Sequence, residues 1–424
     1  MIRFLWKGLI RDRSRSLFPM LIVVAGAFLT VLLYCWIGGV QNDMIWSSAA
    51  FQTGHVKIMT RAYAQQMDQL PNDLALMGVD TLMQTLQKDD PRMVWLPRIR
   101  FGGLLDIPDK NKETKSQAPV IGLGVRLLDP KSPEREILNL KSALVRGRLP
   151  HQAGEILMSE MLANQLKINL GQQATLISST MFGSMTMANF TVVGMIRFGI
   201  AAMDRGAIIA DIQDVQTALD MKNATSEIVG FFPDHIYKDE MALDEQAAFN
   251  AKYSKENNEF SPQMIALSQQ NGLGEILDMS KTASTFMITI FVFVMSLVLW
   301  NTGLMGSIRR YGEMGVRLAM GEYKGHVYRS LLFESLMIGF VGAIAGTILG
   351  LAASYYLQIH GVNFGGLMKN STLMISEVMR ARVTTTSYFI GFLPGFFAPL
   401  LGTSISGIGI YKRQTSQLFK ELEV

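Results

Sequence analysis

Cysteine is nearly missing from this chain, with one thiol, Cys35, in 424 residues. A single cysteine excludes an intramolecular disulfide and any cysteine-rich metal site. Bulky Leu33 and Tyr34 precede it inside an apolar run, which argues against a lipid-modified cysteine and for a buried thiol. Charge is scarce as well. Asp, Glu, Lys and Arg make up 17% of the chain, against about 25% in soluble domains, while hydrophobic residues reach 49%. That balance describes a membrane protein with a substantial polar part. Histidine is thin: His55, His151, His235, His326 and His360 are scattered, with no His-x-x-x-His and no carboxylate pattern for zinc. No Gly-x-x-x-x-Gly-Lys-Ser/Thr loop is present, so the chain binds no nucleotide in the P-loop manner, and no Gly-x-Ser-x-Gly elbow offers a nucleophile. No catalytic residue and no metal ligand is expected.

What is present is four long apolar runs. Residues 1–16 carry Arg3, Lys7, Arg11, Arg13 and Arg15 against one acid, Asp12. Residues 17–37 then lack any formal charge, enough to cross a hydrocarbon core at 1.5 Å per residue. The run is too long for a cleaved signal peptide and lacks an Ala-x-Ala end, so it reads as an uncleaved anchor. The first span is drawn over residues 17–40, the second over 282–307, the third over 331–357 and the fourth over 384–411. Pro394 and Pro399 predict a kinked or broken fourth span.

Between the first two spans, residues 41–281 read as an α+β region of mixed signals. Residues 72–87 read as a helix, 93–107 as strand, turn and strand, and 159–167 as a compact helix. Residues 119–125, 174–178, 190–197 and 207–210 read as short strands. Residues 106–117, dense in Lys and Asp, read as an exposed loop, and 239–280 as a helical stalk leading into the second span. The fold class is therefore an α-helical membrane protein of four spans with an α+β domain inserted between the first and second.

Cation placement predicts orientation. The segment 1–16, the link 308–330 and the tail 412–424 are rich in Lys and Arg, and an even number of spans puts all three on one side. That side is expected to be cytoplasmic, with both termini there, and residues 41–281 and the loop 358–383 face outward. Lys369, Arg380 and Arg382 in that loop run against the bias. Since the cations flank spans, the net charge of +4 points to a membrane surface and not to nucleic acid.

The link between the second and third spans is basic and amphipathic. At helical spacing Ile308, Val316 and Ala319 share one face, with Arg309, Arg310, Glu313 and Arg317 on the others. Such a segment serves as a lipid-surface anchor, a calmodulin-type target or a docking surface for a soluble partner. Glu334, at the start of the third span, reads as an interface residue pairing with an arginine of the link. Gly342, Gly346 and Gly350 make a stripe of small residues that lets another helix approach closely. Methionine is abundant, 28 in all, and Met181, Met185 and Met187 crowd one segment. Gap filling, an adaptable binding surface and Cu(I) ligation are the readings that soft thioethers allow.

These residues carry a resemblance. The run Arg310-Tyr-Gly-Glu-Met-Gly-Val-Arg-Leu-Ala-Met-Gly321, then Leu332-Phe-Glu-Ser-Leu and the glycine stripe, resembles the signature of the FtsX/MacB superfamily of ABC transporter permeases (type VII). Arg146-Gly-Arg-Leu, Gly154-Glu-Ile-Leu-Met-Ser-Glu, Leu162-Ala, Leu170-Gly, Phe190-Thr-Val-Val-Gly194 and the stretch from Asp204 to Ala210 resemble a MacB-type periplasmic core domain. Gln52-Thr-Gly-His-Val-Lys-Ile58 is similar to lipoprotein-releasing (Lol-type) permeases. The tail departs from the family ending, and no contact is carried over from it.

The resemblance implies a bacterial inner-membrane permease subunit without catalytic activity. It implies two copies of a separate cytoplasmic ATPase that hold ATP and Mg, and a second permease copy or a paralogue. It further implies a periplasmic chaperone or adaptor and contact with membrane lipids. Arg310, Glu313, Met314, Gly315, Val316 and Arg317 become the expected ATPase-coupling residues, with Met314 and Val316 filling a groove and Gly315 allowing close approach. Extraction of lipoprotein or lipid toward the outer membrane is the leading expectation. Tripartite efflux and force transmission to a periplasmic protein are the alternatives, and a secondary transporter unrelated to ATP is the remaining one.

Overall fold

A computed structural model of the chain describes residues 13–109, 113–198, 201–253, 258–270, 272–364 and 378–412. The expectations for residues 1–12, for 365–377 of the 358–383 loop and for 413–424 of the tail lie outside the described residues. Two compact units are present, one from Met1–Gln41, Met279–Val362 and Met379–Val424, the other from Asn42–Asp278 and Asn363–Val378.

The second unit is built on a ten-stranded sheet of β1 (Val56–Thr60), β2 (Val94–Pro108), β3 (Thr114–Val125), β4 (Leu144–Gly147), β5 (Glu155–Ser159), β6 (Gln173–Ser179), β7 (Met185–Ile196), β8 (Ala207–Asp211), β9 (Glu227–Phe231) and β10 (Pro262–Ala266). Their order is β10-β1-β9-β2-β3-β8-β5-β7-β4, with β6 bridging β2 and β7. The β3–β8 and β5–β7 pairs are parallel. One apolar cluster gathers Ile99, Phe101, Leu105, Ile156, Val192 and Ile208; another gathers Leu123, Val125, Leu157, Ile209, Val229 and Phe231. Neighbouring residues of β5 and β8 thus divide between two clusters, as side chains alternating across a sheet must.

Four readings of this region need correction. Residues 93–107 form one strand, not strand, turn and strand. Gly102-Gly103 makes no turn; at Gly103 a side chain would stand 2.8 Å from the Ile177 carbonyl oxygen, so the glycine there admits β6. Residues 106–117 are mostly strand, because Leu105, Ile107 and Ala118 are buried and carry the β2–β3 hairpin outward. The helix expected at 72–87 begins only at Val79 and runs to Asp89, since Gly78 sits at φ +68° and resets the chain. Residues 239–280 form no single stalk. Helix Asp239–Tyr253 buries Ala242 and Phe249 beside Ile58 and Met264, and β10 pairs with β1 along its length. Asn250 holds them together: its amide donates to the Met264 carbonyl and accepts from its N–H, both at 2.9 Å. The helix expected over 159–167 is observed as Glu160–Leu166, with the Ser159 hydroxyl accepting from the Leu162 N–H.

His55 is buried among Trp46, Phe231, Phe232 and Tyr237, its Nδ1 accepting the Phe232 N–H at 3.0 Å. Desolvation outweighs the attraction of Asp234 and lowers its pKa to about 4 from an ordinary 6.5. The folded value lies below the unfolded one, so the neutral ring contributes stability that is complete above about pH 6.5. That contribution is lost as pH falls toward about 4. The shift corresponds to roughly 3 kcal/mol. Melting temperature measured from pH 7 to pH 4 should fall more steeply in the parent than in His55→Gln; equal slopes would refute the assignment.

The other unit holds the apolar helices. Among the described residues four helical segments are long and apolar enough to cross a membrane: Leu17–Thr53, Leu273–Ala319, Lys324–His360 and Ser387–Lys412. The fourth is interrupted. Helix Ser387–Ile390 gives way to a π-turn at Leu393–Phe397, then to helix Ala398–Gly407. Pro394 and Pro399 each lack the N–H that a continuous ladder requires. Cys35 is buried, its thiol donating to the Ser387 hydroxyl at 3.2 Å.

Candidate functional site: the link between the second and third spans

The second-span helix ends at Ile308. Arg310, at φ −103° and ψ 1°, breaks it, and a separate linker helix runs from Tyr311 to Ala319. Gly321 at φ +92° then turns the chain into helix Lys324–His360. The break explains why the expected face does not form as one. Ile308 belongs to the preceding helix, so it is out of register with Val316 and Ala319, although all three are exposed. The packed face is Tyr311 and Met314, which with Leu318 meet Val327, Leu331 and Ile410.

The six residues singled out in the link therefore separate. Arg310 ion-pairs with Glu334, the partner expected of that acid. Arg317 is engaged within the chain, its Nε 2.7 Å and one Nη 3.0 Å from the Glu322 carboxylate oxygens, with the other Nη donating to Ser330 at 3.2 Å. This fork closes the turn and complements the helix end, where a cation is favoured. Met314 and Gly315 are buried, so Met314 fills this chain's own core and not an external groove. Glu313 and Val316 face outward.

Sequence reasoning missed two neighbours. Met320 is 75% exposed and Tyr323 85% exposed, both beyond the linker helix. The available signal was Gly321 between them: a tight turn holds its flanking side chains off the helices it joins. Val316, Met320 and Tyr323 thus offer exposed apolar surface in the link. A cleft of about 690 Å³ opens alongside, lined by Phe18, Ile22, Val298, Met305, Arg309 and Val316 among others.

The glycine stripe meets the first span. Side chains added at Gly342 and Gly350 would stand 2.7 Å from Val23 Cγ1 and 2.8 Å from Val31 Cβ, and one at Gly346 would lie 2.5 Å from the Val24 carbonyl oxygen. Each four-residue step along the third span matches a step on the first, so the two backbones approach where no Cβ intervenes. Gly346→Leu should force the helices apart at a cost of roughly 3 kcal/mol. Thermal unfolding in detergent would reveal it, and an unchanged midpoint would contradict this packing.

In the sheet unit, the turn before β7 and the start of that strand expose Phe182, Met185 and Met187, at 70%, 77% and 67%. Met181 is instead buried. Among the described residues no group of His, Cys, Asp and Glu is arranged to hold a metal.

Comparison with known proteins fits this arrangement. Residues 285–415 match the family model of the FtsX-like permease C-terminal domain. The lipoprotein-releasing system transmembrane protein LolC of Xylella fastidiosa (strain 9a5c) is 22% identical over 210 residues, 48% of each chain. The macrolide export ATP-binding/permease protein MacB of Campylobacter jejuni (strain 81-176) is 24% identical over 136 residues, 31% of this chain and 20% of that protein. The chain thus spans about half the length of LolC and a fifth of MacB. The crystal structure of the periplasmic region of MacB from Actinobacillus actinomycetemcomitans aligns with a TM-score of 0.35 at 13% identity, covering 52% of this chain and 91% of that one. In its apolar helices and its linker the chain is similar to FtsX/MacB-type ABC permeases, and its residues 285–415 match the C-terminal domain of that kind.

Proposed function

We propose that this chain is the non-catalytic permease subunit of an ATP-driven transporter in a bacterial inner membrane. Its termini and the linker helix face the cytoplasm, and residues 42–278 face the periplasm. A separate ATPase pair binds ATP and Mg, and each ATPase docks on one linker helix. The observation that supports this most is the division of the linker's faces. Tyr311 and Met314 fasten the helix to the third and fourth spans, while Val316, Met320 and Tyr323 are exposed apolar surface that a partner can cover. ATP binding favours one of two arrangements of the ATPase pair, and the fastened helix passes that preference to the spans.

The second span supports pairing with another permease, a second copy or a paralogue. Phe286, Phe293 and Leu297 lie exposed on it, for lipid or for another span. The work done is removal of a lipoprotein or lipid from the membrane's outer leaflet, a reading supported by similarity to LolC over half the chain. Phe182, Met185 and Met187 offer an adaptable apolar surface to a periplasmic chaperone or adaptor.

The test is reconstitution of the permease and its co-purified ATPase in liposomes with a fluorescent lipoprotein. ATP should release the lipoprotein to a soluble acceptor, and Phe182→Asp with Met185→Asp should reduce that release. Macrolide-stimulated hydrolysis without lipoprotein release would favour efflux, a reading that rests on the MacB similarity. Neither response, with hydrolysis still coupled to a periplasmic protein, would favour force transmission.

A further inference from the structure

We infer that Tyr311 and Tyr328 are positioning residues that carry movement of the linker helix into the end of the fourth span; this rests on the coupling role proposed above. Tyr311 opens the linker helix and donates its hydroxyl to the Ser406 carbonyl at 2.6 Å. Tyr328, near the start of the third-span helix, donates to the Ser404 carbonyl at 3.3 Å. Both acceptors lie in the last turn of helix Ala398–Gly407, ahead of the turn at Ile408 that separates it from Gly409–Lys412. At this helix end the Ile408 N–H reaches back to the Ile405 and Ser406 carbonyls, and the two tyrosine hydroxyls add donors from outside the helix, at Ser406 and Ser404.

The rings occupy space that two glycines leave open. A side chain at Gly407 would stand 2.6 Å from Tyr328 Cε2, and one at Gly409 would stand 2.6 Å from the Tyr311 hydroxyl. Tyr411 meets Tyr328 edge-on, with ring centroids 5.7 Å apart. From the end of the second span, the Ser307 hydroxyl bonds that of Ser406. Residues 404–411 are therefore gripped by the second span, the linker and the third-span helix at once.

The kind of bond matters. Apolar packing is non-directional and lets helices slide, whereas a hydroxyl aimed at one carbonyl fixes both distance and direction. Met314 and Ile410 alone would hold the linker against the fourth span. The two hydroxyls make a displacement of one a displacement of the other.

Phenylalanine removes each hydroxyl and keeps each ring, so it tests the bonds apart from the packing. Hydrogen–deuterium exchange on the full-length permease alone, in nanodiscs, is the first measurement. Tyr311→Phe with Tyr328→Phe should speed amide exchange in residues 404–412 roughly fivefold per hydroxyl removed. Exchange indistinguishable from the parent would overturn the clamp, whatever the ATPase does. In the assembled complex, the double variant should keep its ATPase and its basal hydrolysis. It should lose the change in exchange at 404–412 that a non-hydrolysable ATP analogue induces in the parent, which a merely structural role would leave in place. Retention of that change would overturn the inference. Failure of the parent to hold an ATPase would instead bring down the coupling role, with the first measurement still deciding whether the clamp exists.

Discussion

Arg98→Ala is expected to destabilise the sheet unit by about 4 kcal/mol, within the usual range for breaking a buried ion pair. Arg98 and Glu134 are both fully buried, joined by two hydrogen bonds of 2.9 and 2.7 Å. Another Arg98 donor reaches the Ala50 carbonyl at 2.6 Å, and its guanidinium lies 5.6 Å from the Phe231 ring. Alanine would leave the Glu134 carboxylate and the Ala50 carbonyl in the interior without their donors, and that is where the cost arises. In a unit of this size the melting temperature should fall by roughly 10 °C. Arg98→Met with Glu134→Leu should recover most of the loss, because an apolar pair leaves no unpaired charge behind. Thermal unfolding of the three proteins decides it. A double variant as unstable as Arg98→Ala would mean that lost packing, and not the stranded carboxylate, sets the cost.

The second large effect concerns function. Val316→Asp and Glu313→Arg should each abolish co-purification of the ATPase with membrane insertion intact, and Val316→Asp should leave stability within about 0.5 kcal/mol of the parent, as surface substitutions usually do. Both side chains are exposed. Met314→Ala should behave in the opposite way, costing roughly 3 kcal/mol by opening a cavity beside Val327, Leu331 and Ile410, with docking retained in the folded fraction. Gly315→Trp is uninformative as a docking test, since Gly315 is itself buried. ATPase retention by Val316→Asp and Glu313→Arg alike would remove the linker helix from the interface.

Much of the site was legible because its signals are local. The scarcity of charge, four apolar runs and the basic link are properties of contiguous stretches, and each follows from the hydropathy of the residues within it. The pairing of Glu334 with an arginine of the link was readable too. An acid at the head of an apolar helix needs a cation, and the nearest cations lie in the link. Which link residues face outward was not readable in this way. Met314 and Val316 lie about 200° apart on one helix and so take opposite roles, but which of the two faces packs is set by Val327, Leu331 and Ile410 arriving from later elements.

The sheet shows the same division. Strand character at 119–125, 174–178 and 207–210 came from Val, Ile and Gly content, and strands stand there. The continuity of β2 through Gly102-Gly103 depends on β6, from residues some seventy positions later, occupying the space that the missing side chains leave. The helix at 239–253 packs on β10 and not in a stalk because Asn250 and Gln246 find backbone partners at Met264 and Ala266.

By itself, then, the sequence determined four runs long and apolar enough to cross a membrane, a basic link, a glycine stripe and the lack of a P-loop motif. Those properties depend on residue type and near-neighbour spacing. Tertiary structure alone decided that the stripe receives the first span, that Arg317 closes the link's turn, and that Val316, Met320 and Tyr323 stay exposed. It also decided that two tyrosines reach carbonyls 95 and 76 residues away. The reason is physical. Burial and hydrogen bonding are set by whatever surface arrives from distant chain, and a glycine, an arginine or a hydroxyl carries no local mark of which partner will meet it.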